Sequence, residues 1–239
     1  MLPGMDGTGE LFEPLINAIG AKFDTSIISY PLEEALDYEE LLNLVTLRIP
    51  KEKPYFLLGE SFSGPLAVMA ASKSSENLLG IILVATFVKN PMPQWMSRLK
   101  WLLRGPMLDM RPRPFIIEGL LGKDCPEKTK RWVQDMLPRL KREVLAGRIK
   151  AVLEVNVREE LKNCQVPVLY IAGSRDCLVR KKCLDVIWLC RPDVEIKVID
   201  GAHMILQARP AEAAAAIREF CGRLWSAECK VQGVEGEVL

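Results

Sequence analysis

Ser61 lies between the apolar run 55–58 and the small, apolar segment 64–71. The first pattern predicts a buried strand and the second a helix, so the serine would occupy a sharp strand-to-helix turn. Such a turn requires small residues two positions before and after the serine, and Gly59 and Ser63 stand there. The pattern predicts a nucleophile whose Oγ is exposed at the carboxyl end of a strand, beside a helix amino terminus.

A serine hydroxyl becomes a useful nucleophile only when a base within hydrogen-bond reach removes its proton. His203 is the one histidine of the chain, and it follows the apolar run 194–199. A loop after the last strand is where this order of elements would place a base. We therefore predict His203 as the base, with a surface or core histidine as the alternative. An imidazole accepts a proton only in its neutral form, so activity is expected to rise with pH through about 6–7.

A carboxylate should orient the imidazole by accepting the N–H of its other ring nitrogen. Asp176 is favoured because it follows the apolar run 168–172 and lies between Ser61 and His203 in the chain. It would fix the imidazole tautomer and stabilise the imidazolium that forms. The competing carboxylates are Asp185, Asp193 and Asp200.

Two backbone N–H groups near the serine would be needed to stabilise an oxyanion, each typically contributing about 3 kcal/mol. Phe62, directly after the serine, is predicted to supply one of them. The glycine-rich segment 2–9 precedes a helical pattern, and Gly4 would let the chain turn so that the Met5 N–H points at the site. The alternatives are a flexible loop or a weak phosphate loop, although the segment lacks the Lys-Ser/Thr ending of a P-loop.

The composition is that of an ordinary globular protein. The 239 residues, 49% hydrophobic and 26% charged, suffice for one large domain or for a core with an insertion. A net charge of +1 gives no reason to expect nucleic acid as a partner. Seven cysteines without C-x-x-C spacing and a single histidine argue against a metal site and fit a reducing compartment. No apolar run reaches about 18 residues, so we expect a cytoplasmic protein without stable membrane insertion, and nothing implies an organic cofactor.

Short apolar runs alternate with helical patterns along most of the chain, which predicts a mainly parallel sheet with helices on both faces. The predicted strands cover residues 25–30, 55–58, 80–86, 168–172 and 194–199. The predicted helices of this core cover residues 10–19, 38–49, 64–72, 181–189 and 211–225.

Helical patterns alone fill the stretch from 88 to 160, which is therefore predicted to be a helical cap over the carboxyl edge of the sheet. The predicted cap helices cover residues 94–104, 114–121, 127–145 and 149–155. The core would then consist of residues 1–87 and 161–226, followed by a flexible tail at 227–239.

With these residues placed, the chain resembles an α/β-hydrolase, whose members carry nucleophile, acid and base in the order of Ser61, Asp176 and His203. The segments 2–9 and 59–64 are similar to those of a group of small bacterial α/β-hydrolases, and more distantly to those of pimeloyl-carrier-protein methyl esterases. The segment 2–9, referred to below as the opening loop, also resembles that of acyltransferase-like esterases of plastids. The resemblance implies a doubly wound, mainly parallel sheet, with a helical cap inserted after the strand that follows the nucleophile helix.

The chain departs from the family pattern at its start. Pro3 stands where many relatives carry a histidine before the oxyanion glycine, so the side-chain support of that loop is expected to differ. Relatives also have strands ahead of the loop, one of them in the middle of the sheet, whereas here the loop begins at Met1-Leu2. Strands at the amino terminus would then be missing. The predicted strands 25–30 and 55–58 would each lose a partner, which predicts reduced stability.

The cap carries aromatic residues that would suit an acyl chain. The predicted substrate-binding residues are Trp95, Trp101, Phe115 and Trp132. The alternative is that most of them pack the cap onto the core. Residues 88 to 160 include sixteen Lys and Arg but nine Asp and Glu, which would suit an acidic partner such as an acyl carrier protein. The best candidates for such a role are Arg98, Lys100, Arg104, Arg111 and Arg113, with solvated helix faces as the alternative.

Together these features predict a serine hydrolase that cleaves a small-molecule carboxylic ester or thioester through an acyl-Ser61 intermediate. An acyltransferase would use the same intermediate and pass the acyl group to an alcohol. A non-catalytic binding protein of the same fold is the alternative from another class, and the complete set of Ser61, Asp176 and His203 argues against it.

Overall fold

Four parallel strands form the sheet in the computed structural model, which describes residues 1–73, 76–92, 114–136 and 139–232. The strands lie in the order β1-β2-β3-β4 across the sheet. They are β1 (Tyr55–Glu60), β2 (Leu78–Val84), β3 (Val168–Gly173) and β4 (Glu195–Ile199).

Helices account for most of the remaining described residues. Those of the first half are α1 (Glu13–Ile19), α2 (Tyr38–Arg48), α3 (Gly64–Ser72), α4 (Pro114–Leu121) and α5 (Glu127–Met136). Those of the second half are α6 (Arg142–Glu154), α7 (Arg158–Asn163), α8 (Lys181–Cys190), α9 (Ile205–Ala208) and α10 (Pro210–Gln232). Short 3-10 turns at Glu10–Phe12 and Ser61–Ser63 precede α1 and α3. None of the helices within the described ranges is long and apolar enough to cross a membrane.

Apolar side chains cover both faces of the sheet. One buried cluster joins the strands to α2, α3, α7 and α8, and a second joins them to α1, α9 and α10. β2, between β1 and β3, is buried along almost its whole length, as a strand covered on both faces must be. The predicted doubly wound, mainly parallel sheet is therefore confirmed.

The parallel arrangement brings three strand ends to one edge of the sheet. β1 ends at Glu60, β3 at Gly173 and β4 at Ile199. Because the carboxyl ends of parallel strands share one edge, the residues that directly follow these strands are neighbours in space. This edge is where the three predicted catalytic residues lie.

The predicted strand at residues 25–30 is wrong, since this segment has no regular secondary structure. Met1 makes two ladder-type hydrogen bonds to it: the terminal amine donates to Ser26 O at 2.6 Å, and Ile28 N donates to Met1 O at 3.0 Å. Further along, Tyr30 N donates instead to Gly7 O in the loop, at 2.8 Å. A cavity of about 330 Å³ is lined by residues of both this segment and β1. An extended segment becomes a strand only when a ladder of backbone hydrogen bonds continues along it, and here the ladder stops after one residue.

The prediction of one helix over 127–145 is also wrong, because α5 ends at Met136 and α6 begins at Arg142. Pro138 lies between them in the sequence, and a proline cannot supply the backbone N–H that a helix interior requires. α7 was not predicted. The predicted helix 94–104 lies outside the described residues, and the proposed boundaries of cap, core and tail stay predictions.

Candidate active site

Ser61 occupies a strained backbone position between β1 and α3. Its φ is +48°, in the left-handed region that non-glycine residues seldom adopt. Holding such a residue typically costs about 1–3 kcal/mol, so the surroundings must fix it. The helix amino terminus follows directly, through the turn Ser61–Ser63. The strand, turn and helix predicted around the serine are all present.

Two glycines allow the close approaches that this turn requires. A Cβ on Gly59 would lie 2.6 Å from Ser63 O and 2.9 Å from the Cβ of Ala67, on the first turn of α3. A Cβ on Gly64 would lie 2.6 Å from the Cβ of Thr86. Each distance is far shorter than ordinary van der Waals contact, so a side chain at either position would push the helix away from its neighbours.

Thr86, just beyond β2, holds the carbonyl of the strained serine. Its Oγ1 donates a hydrogen bond to Ser61 O. The backbone of Thr86 is held in turn by Tyr170 of β3, whose hydroxyl donates to Thr86 O at 2.8 Å and accepts from Thr86 N at 3.2 Å. Ala85, the preceding residue, also has a positive φ of +47°. The segment after β2, held by a side chain of β3, thus braces the serine turn.

Ser61, His203 and Asp176 form one hydrogen-bonded series. The distance from Ser61 Oγ to His203 Nε2 is 2.9 Å, and that from His203 Nδ1 to Asp176 Oδ2 is 2.8 Å. The side chains of His203 and Asp176 are only 9% and 4% exposed, so water competes little for these bonds. If Nδ1 carries the proton and donates it to Asp176, Nε2 is left with the lone pair that can accept the serine proton.

The loop after β3 positions the carboxylate. Asp176 Oδ1 accepts from the backbone N–H groups of Leu178 and Val179, each at 2.9 Å, which leaves Oδ2 for the imidazole. This loop lies close to the histidine loop, because a Cβ on Gly173 would collide with the backbone of Ala202. Of the competing carboxylates, Asp200 instead accepts from Ser174 Oγ, at 2.9 Å, and contacts Arg175.

The opening loop lies beside the serine. A Cβ on Gly4 would be 4.0 Å from Ser61 Cβ, so the backbone there is next to the nucleophile. Met5 is half-buried, whereas Phe62 is fully buried. The Phe62 ring stacks on Tyr38, with ring centroids 4.9 Å apart, and its carbonyl accepts from the Tyr38 hydroxyl at 2.7 Å. Both proposed oxyanion donors therefore belong to segments adjoining Ser61.

Ser63, which replaces the more usual second glycine, links the serine turn to the opening loop. Its Oγ donates to Pro3 O, and the Tyr30 hydroxyl lies 2.5 Å from the same Oγ. All three groups are buried. The sequence predicts that the side-chain support of the opening loop differs from that of relatives, because Pro3 replaces their histidine. In the structure this hydrogen-bonded network supplies such support.

Glu60, directly before the nucleophile, is a buried carboxyl group. Burial raises its pKa to about 7, and the hydrogen bond from Gln207 Nε2 at 3.1 Å opposes that shift. Asp6 raises the pKa further, and His203 lowers it. Gln207 also donates to Leu11 O at 3.1 Å, so this pair joins the serine turn to the segment after the opening loop. Neither Gln207 nor Thr86 was expected to support the site, because their contacts arise only in the folded chain.

The predicted substrate-binding residues fall into three groups. Trp95 and Trp101 lie outside the described residues. Phe115 is 63% exposed, on the surface of α4. Trp132 packs, partly buried, against an apolar cluster between the cap helices and the loops of the core. A role in binding an acyl chain stays a prediction for all four.

The proposed docking residues for an acidic partner, Arg98, Lys100, Arg104, Arg111 and Arg113, also lie outside the described residues. Other basic residues of the predicted cap form ion pairs with the core. Arg139 contacts Glu10 at 3.2 Å, and Lys141 contacts Glu33. These two described cations therefore face carboxylates of the predicted core, and the carrier-protein hypothesis stays untested.

The chain matches the family described as serine aminopeptidase, S33, over residues 34–207. That range contains Ser61, Asp176 and His203 and covers most of the chain. The chain therefore belongs to this family of hydrolases, and its predicted place in the α/β-hydrolase superfamily is confirmed.

Other known proteins are similar to this chain over part or most of its length. Phytyl ester synthase 1, chloroplastic, of Arabidopsis thaliana is 34% identical over 134 residues, which are 51% of this chain and 18% of the synthase. A bromoperoxidase from Bacillus anthracis superposes with a TM-score of 0.75 at 15% identity, over 92% of this chain and 90% of its own. An enol-lactonase from Burkholderia xenovorans LB400 superposes with a TM-score of 0.74 at 14% identity, over 91% and 88%. The solved structures share the fold, and their chemistry differs.

Proposed function

We propose that this protein is a serine hydrolase that cleaves a carboxylic ester or thioester through an acyl-Ser61 intermediate. The observation that carries the proposal is the hydrogen-bonded series from Ser61 Oγ through His203 to Asp176, at 2.9 and 2.8 Å. The positive φ of Ser61 supports it, because strain of this kind is retained where function requires it. Membership of a hydrolase family supports it independently.

In the first half of the reaction, Ser61 Oγ attacks the carbonyl carbon of the substrate while His203 Nε2 takes the hydroxyl proton. The tetrahedral oxyanion accepts hydrogen bonds from the Met5 and Phe62 N–H groups. Asp176 keeps Nδ1 as the donor and stabilises the imidazolium without taking its proton. The intermediate then expels the alcohol or thiol, which leaves with the proton from His203.

In the second half, the acyl group leaves the serine. Water gives a proton to His203 Nε2 and attacks the acyl-Ser61 carbonyl, so the oxyanion forms again in the same place. Collapse of this intermediate releases the carboxylic acid and returns the proton from His203 to Ser61 Oγ. Each proton taken by the imidazole is returned, and the site regains its starting state.

A fluorophosphonate probe tests this proposal, because it forms a stable bond only with an activated serine. We expect the wild-type protein to be labelled and to hydrolyse p-nitrophenyl esters, and Ser61→Ala to do neither. Ser72→Ala is a matched control, since Ser72 lies at the other end of α3 and donates only to Met69 O. His203→Gln should lower turnover by about 1000-fold or more. Turnover that survives either Ser61→Ala or His203→Gln would refute the proposal.

Acyl transfer is a second candidate, favoured by the similarity to a protein named as an ester synthase. The two reactions share the acyl-enzyme and differ in whether water or an alcohol attacks it. Product analysis in the presence of a long-chain alcohol separates them: ester formation that exceeds hydrolysis would identify a transferase. A binding protein without catalysis, the third alternative, would be recognised by the absence of probe labelling on a folded wild-type chain.

A further inference from the structure

A buried arginine from α6 reaches the opening loop. Arg148 is 1% exposed and is the largest fully buried side chain among the described residues. Its Nη1 donates to Met5 O at 2.7 Å, and its Nη2 donates to Pro31 O at 2.9 Å. The guanidinium carbon also lies 5.7 Å from the centroid of the Tyr30 ring. One side chain of the predicted cap thus holds two backbone carbonyls of the core.

The opening loop is shaped to receive this guanidinium. Gly7 has a φ of +74°, and a Cβ there would lie 2.5 Å from Arg148 Nη1. Burial lowers the pKa of Arg148, while the negative charge of Asp6 opposes that shift. The Asp6 carboxylate is itself held in the loop, since it accepts from Thr8 N at 2.9 Å. A buried cation is unfavourable unless acceptors and an opposite charge compensate it, and the loop supplies both.

The peptide between Gly4 and Met5 carries the N–H that the proposed function assigns to the oxyanion. In a trans peptide this N–H points opposite to the carbonyl of Gly4. Gly4 O accepts from Gly7 N at 3.1 Å, within the loop. The Met5 N–H therefore points out of the loop, from a backbone that adjoins Ser61.

The carbonyls before and after this peptide are also bonded. Pro3 O accepts from Ser63 Oγ, and Met5 O accepts from Arg148 Nη1. Three successive carbonyls therefore have partners, one from the serine turn, one from the loop and one from α6. Of the three partners, only Arg148 comes from outside the core that surrounds the nucleophile.

We propose that Arg148 is a positioning residue of the oxyanion hole, which holds the Met5 carbonyl so that the adjoining N–H stays aimed at the oxyanion. The inference rests on the proposed function, because it needs an oxyanion to form at Ser61. It also means that the predicted cap contributes to catalysis through the backbone of the loop, in addition to any contact with substrate. An Arg148 that only tied the cap to the core would affect stability and leave the turnover of the folded enzyme unchanged.

Arg148→Gln and Arg148→Lys test this role, with Lys150→Gln as the matched control. Lys150 is on the same helix and exposed, so its substitution removes the same charge without touching the loop. For the hydrolysis of a p-nitrophenyl ester we expect Arg148→Gln to lower kcat by about tenfold to a hundredfold with KM changed by less than about threefold. Arg148→Lys keeps the charge but loses the forked guanidinium that reaches two carbonyls. Its kcat should therefore lie between that of the wild type and that of Arg148→Gln.

A trifluoromethyl ketone inhibitor gives a second measurement, because it forms a tetrahedral oxyanion with the serine. Its inhibition constant should rise in parallel with the loss of kcat in the Arg148 variants, and stay unchanged in Lys150→Gln. Thermal unfolding of each variant establishes that the measured protein is folded. If Arg148→Gln does not fold, the same comparison is made with Arg148→Lys.

The outcomes separate this inference from the proposed function. A folded Arg148 variant with wild-type kcat and wild-type inhibition would overturn the role of Arg148 and leave the hydrolase proposal standing. A wild-type protein that shows neither ester turnover nor Ser61-dependent labelling would overturn the proposed function, and the role of Arg148 would fall with it. A loss of stability with unchanged kcat would identify Arg148 as a structural tether only, which also contradicts the inference.

Discussion

Ser61 and His203 meet at one hydrogen bond, but different contacts hold them in place. On the nucleophile side the contacts are buried and close. Gly59 and Gly64 bring α3 against its neighbours at distances that no larger residue would allow, and Thr86 bonds to the serine carbonyl. These contacts depend on shape and on backbone hydrogen bonds, so salt should affect them little.

On the acid–base side, the outer faces of the loops carry exposed ion pairs. Asp124, between α4 and α5, contacts both Arg175 and Arg209, and the Arg175 contact measures 3.2 Å. Arg175 directly precedes the carboxylate Asp176 and also reaches Asp200 at 3.2 Å. The side chains of Asp124 and Arg175 are 45% and 49% exposed. Such pairs are screened by salt and contribute little each.

The difference suggests a division of roles. The nucleophile must be strained, and strain persists only where close packing leaves no other arrangement. The acid and base need only to be oriented, and their own bonds are buried, so their outer supports can be exposed and adjustable. We therefore expect changes on the nucleophile side to act strongly on both stability and turnover, and changes in the ion pairs to act weakly and only at low salt.

Gly64→Ala should have the largest effect. The added methyl group would lie 2.6 Å from Thr86 Cβ, so the helix or the threonine must move and the bond to the Ser61 carbonyl is lost. Overpacking of this kind costs about 3 kcal/mol at the upper end of its usual range, and we expect turnover to fall by more than about tenfold. Chemical denaturation and p-nitrophenyl ester turnover measure the two effects.

Gly119→Ala is the control for this substitution. Gly119 lies within α4, and apart from its chain neighbours and its own helix backbone no atom of the described residues would lie within 4 Å of a Cβ there. A glycine in a helix interior is less favourable than alanine by up to about 1 kcal/mol, so this change should be neutral or stabilising, with turnover unchanged. Equal stability and equal turnover of Gly64→Ala and Gly119→Ala would contradict the inference that close packing holds the nucleophile in place.

Glu60→Gln tests the nucleophile side through the pH dependence of the free energy of unfolding. Folding raises the pKa of Glu60 from 4.5 to about 7, so the folded chain holds this proton more tightly than the unfolded one. The resulting stabilisation is present below about 4.5 and is lost as pH rises through about 7. Between pH 5 and 8 the wild type should therefore lose roughly 2 kcal/mol of unfolding free energy relative to Glu60→Gln.

Denaturation of both proteins at several pH values measures this difference, with Glu39→Gln as the control because Glu39 is exposed on α2. Because the Glu60 side chain is buried, the difference should persist at 1 M salt. A gap between wild type and Glu60→Gln that does not change with pH would contradict the prediction.

The sequence predicted the site best where residues able to act in catalysis directly follow predicted strands. Ser61, Asp176 and His203 could be singled out because each follows an apolar run, and the ends of parallel strands must share one edge. Their proximity in the structure follows from that arrangement, whereas their catalytic roles stay predictions. The helix at 114–121 was placed at its observed bounds, because its proline start and apolar pattern are local signals.

The supports of the site could not be predicted in the same way. Thr86 and Arg148 act on Ser61 and Met5 from 25 and 143 residues away in the chain, through contacts that no local pattern encodes. The segment 25–30 has the composition of a strand, but strand formation depends on a neighbouring ladder, which is a property of the folded sheet. Local patterns therefore identified the reacting side chains, and tertiary contacts determine how they are held.

Asp124→Asn should have the smallest effect and should depend on salt. The substitution removes the charge that Arg175 and Arg209 share, so the two loops lose their common contact with the cap. At low ionic strength we expect a loss of stability of at most about 1 kcal/mol and a few-fold decrease in kcat/KM, both disappearing near 1 M salt. Glu159→Gln is the control, because its pair with Lys162 is also exposed but lies within α7, away from the two loops. A large effect of Asp124→Asn that persists at 1 M salt would show that the acid–base side is held as rigidly as the nucleophile side.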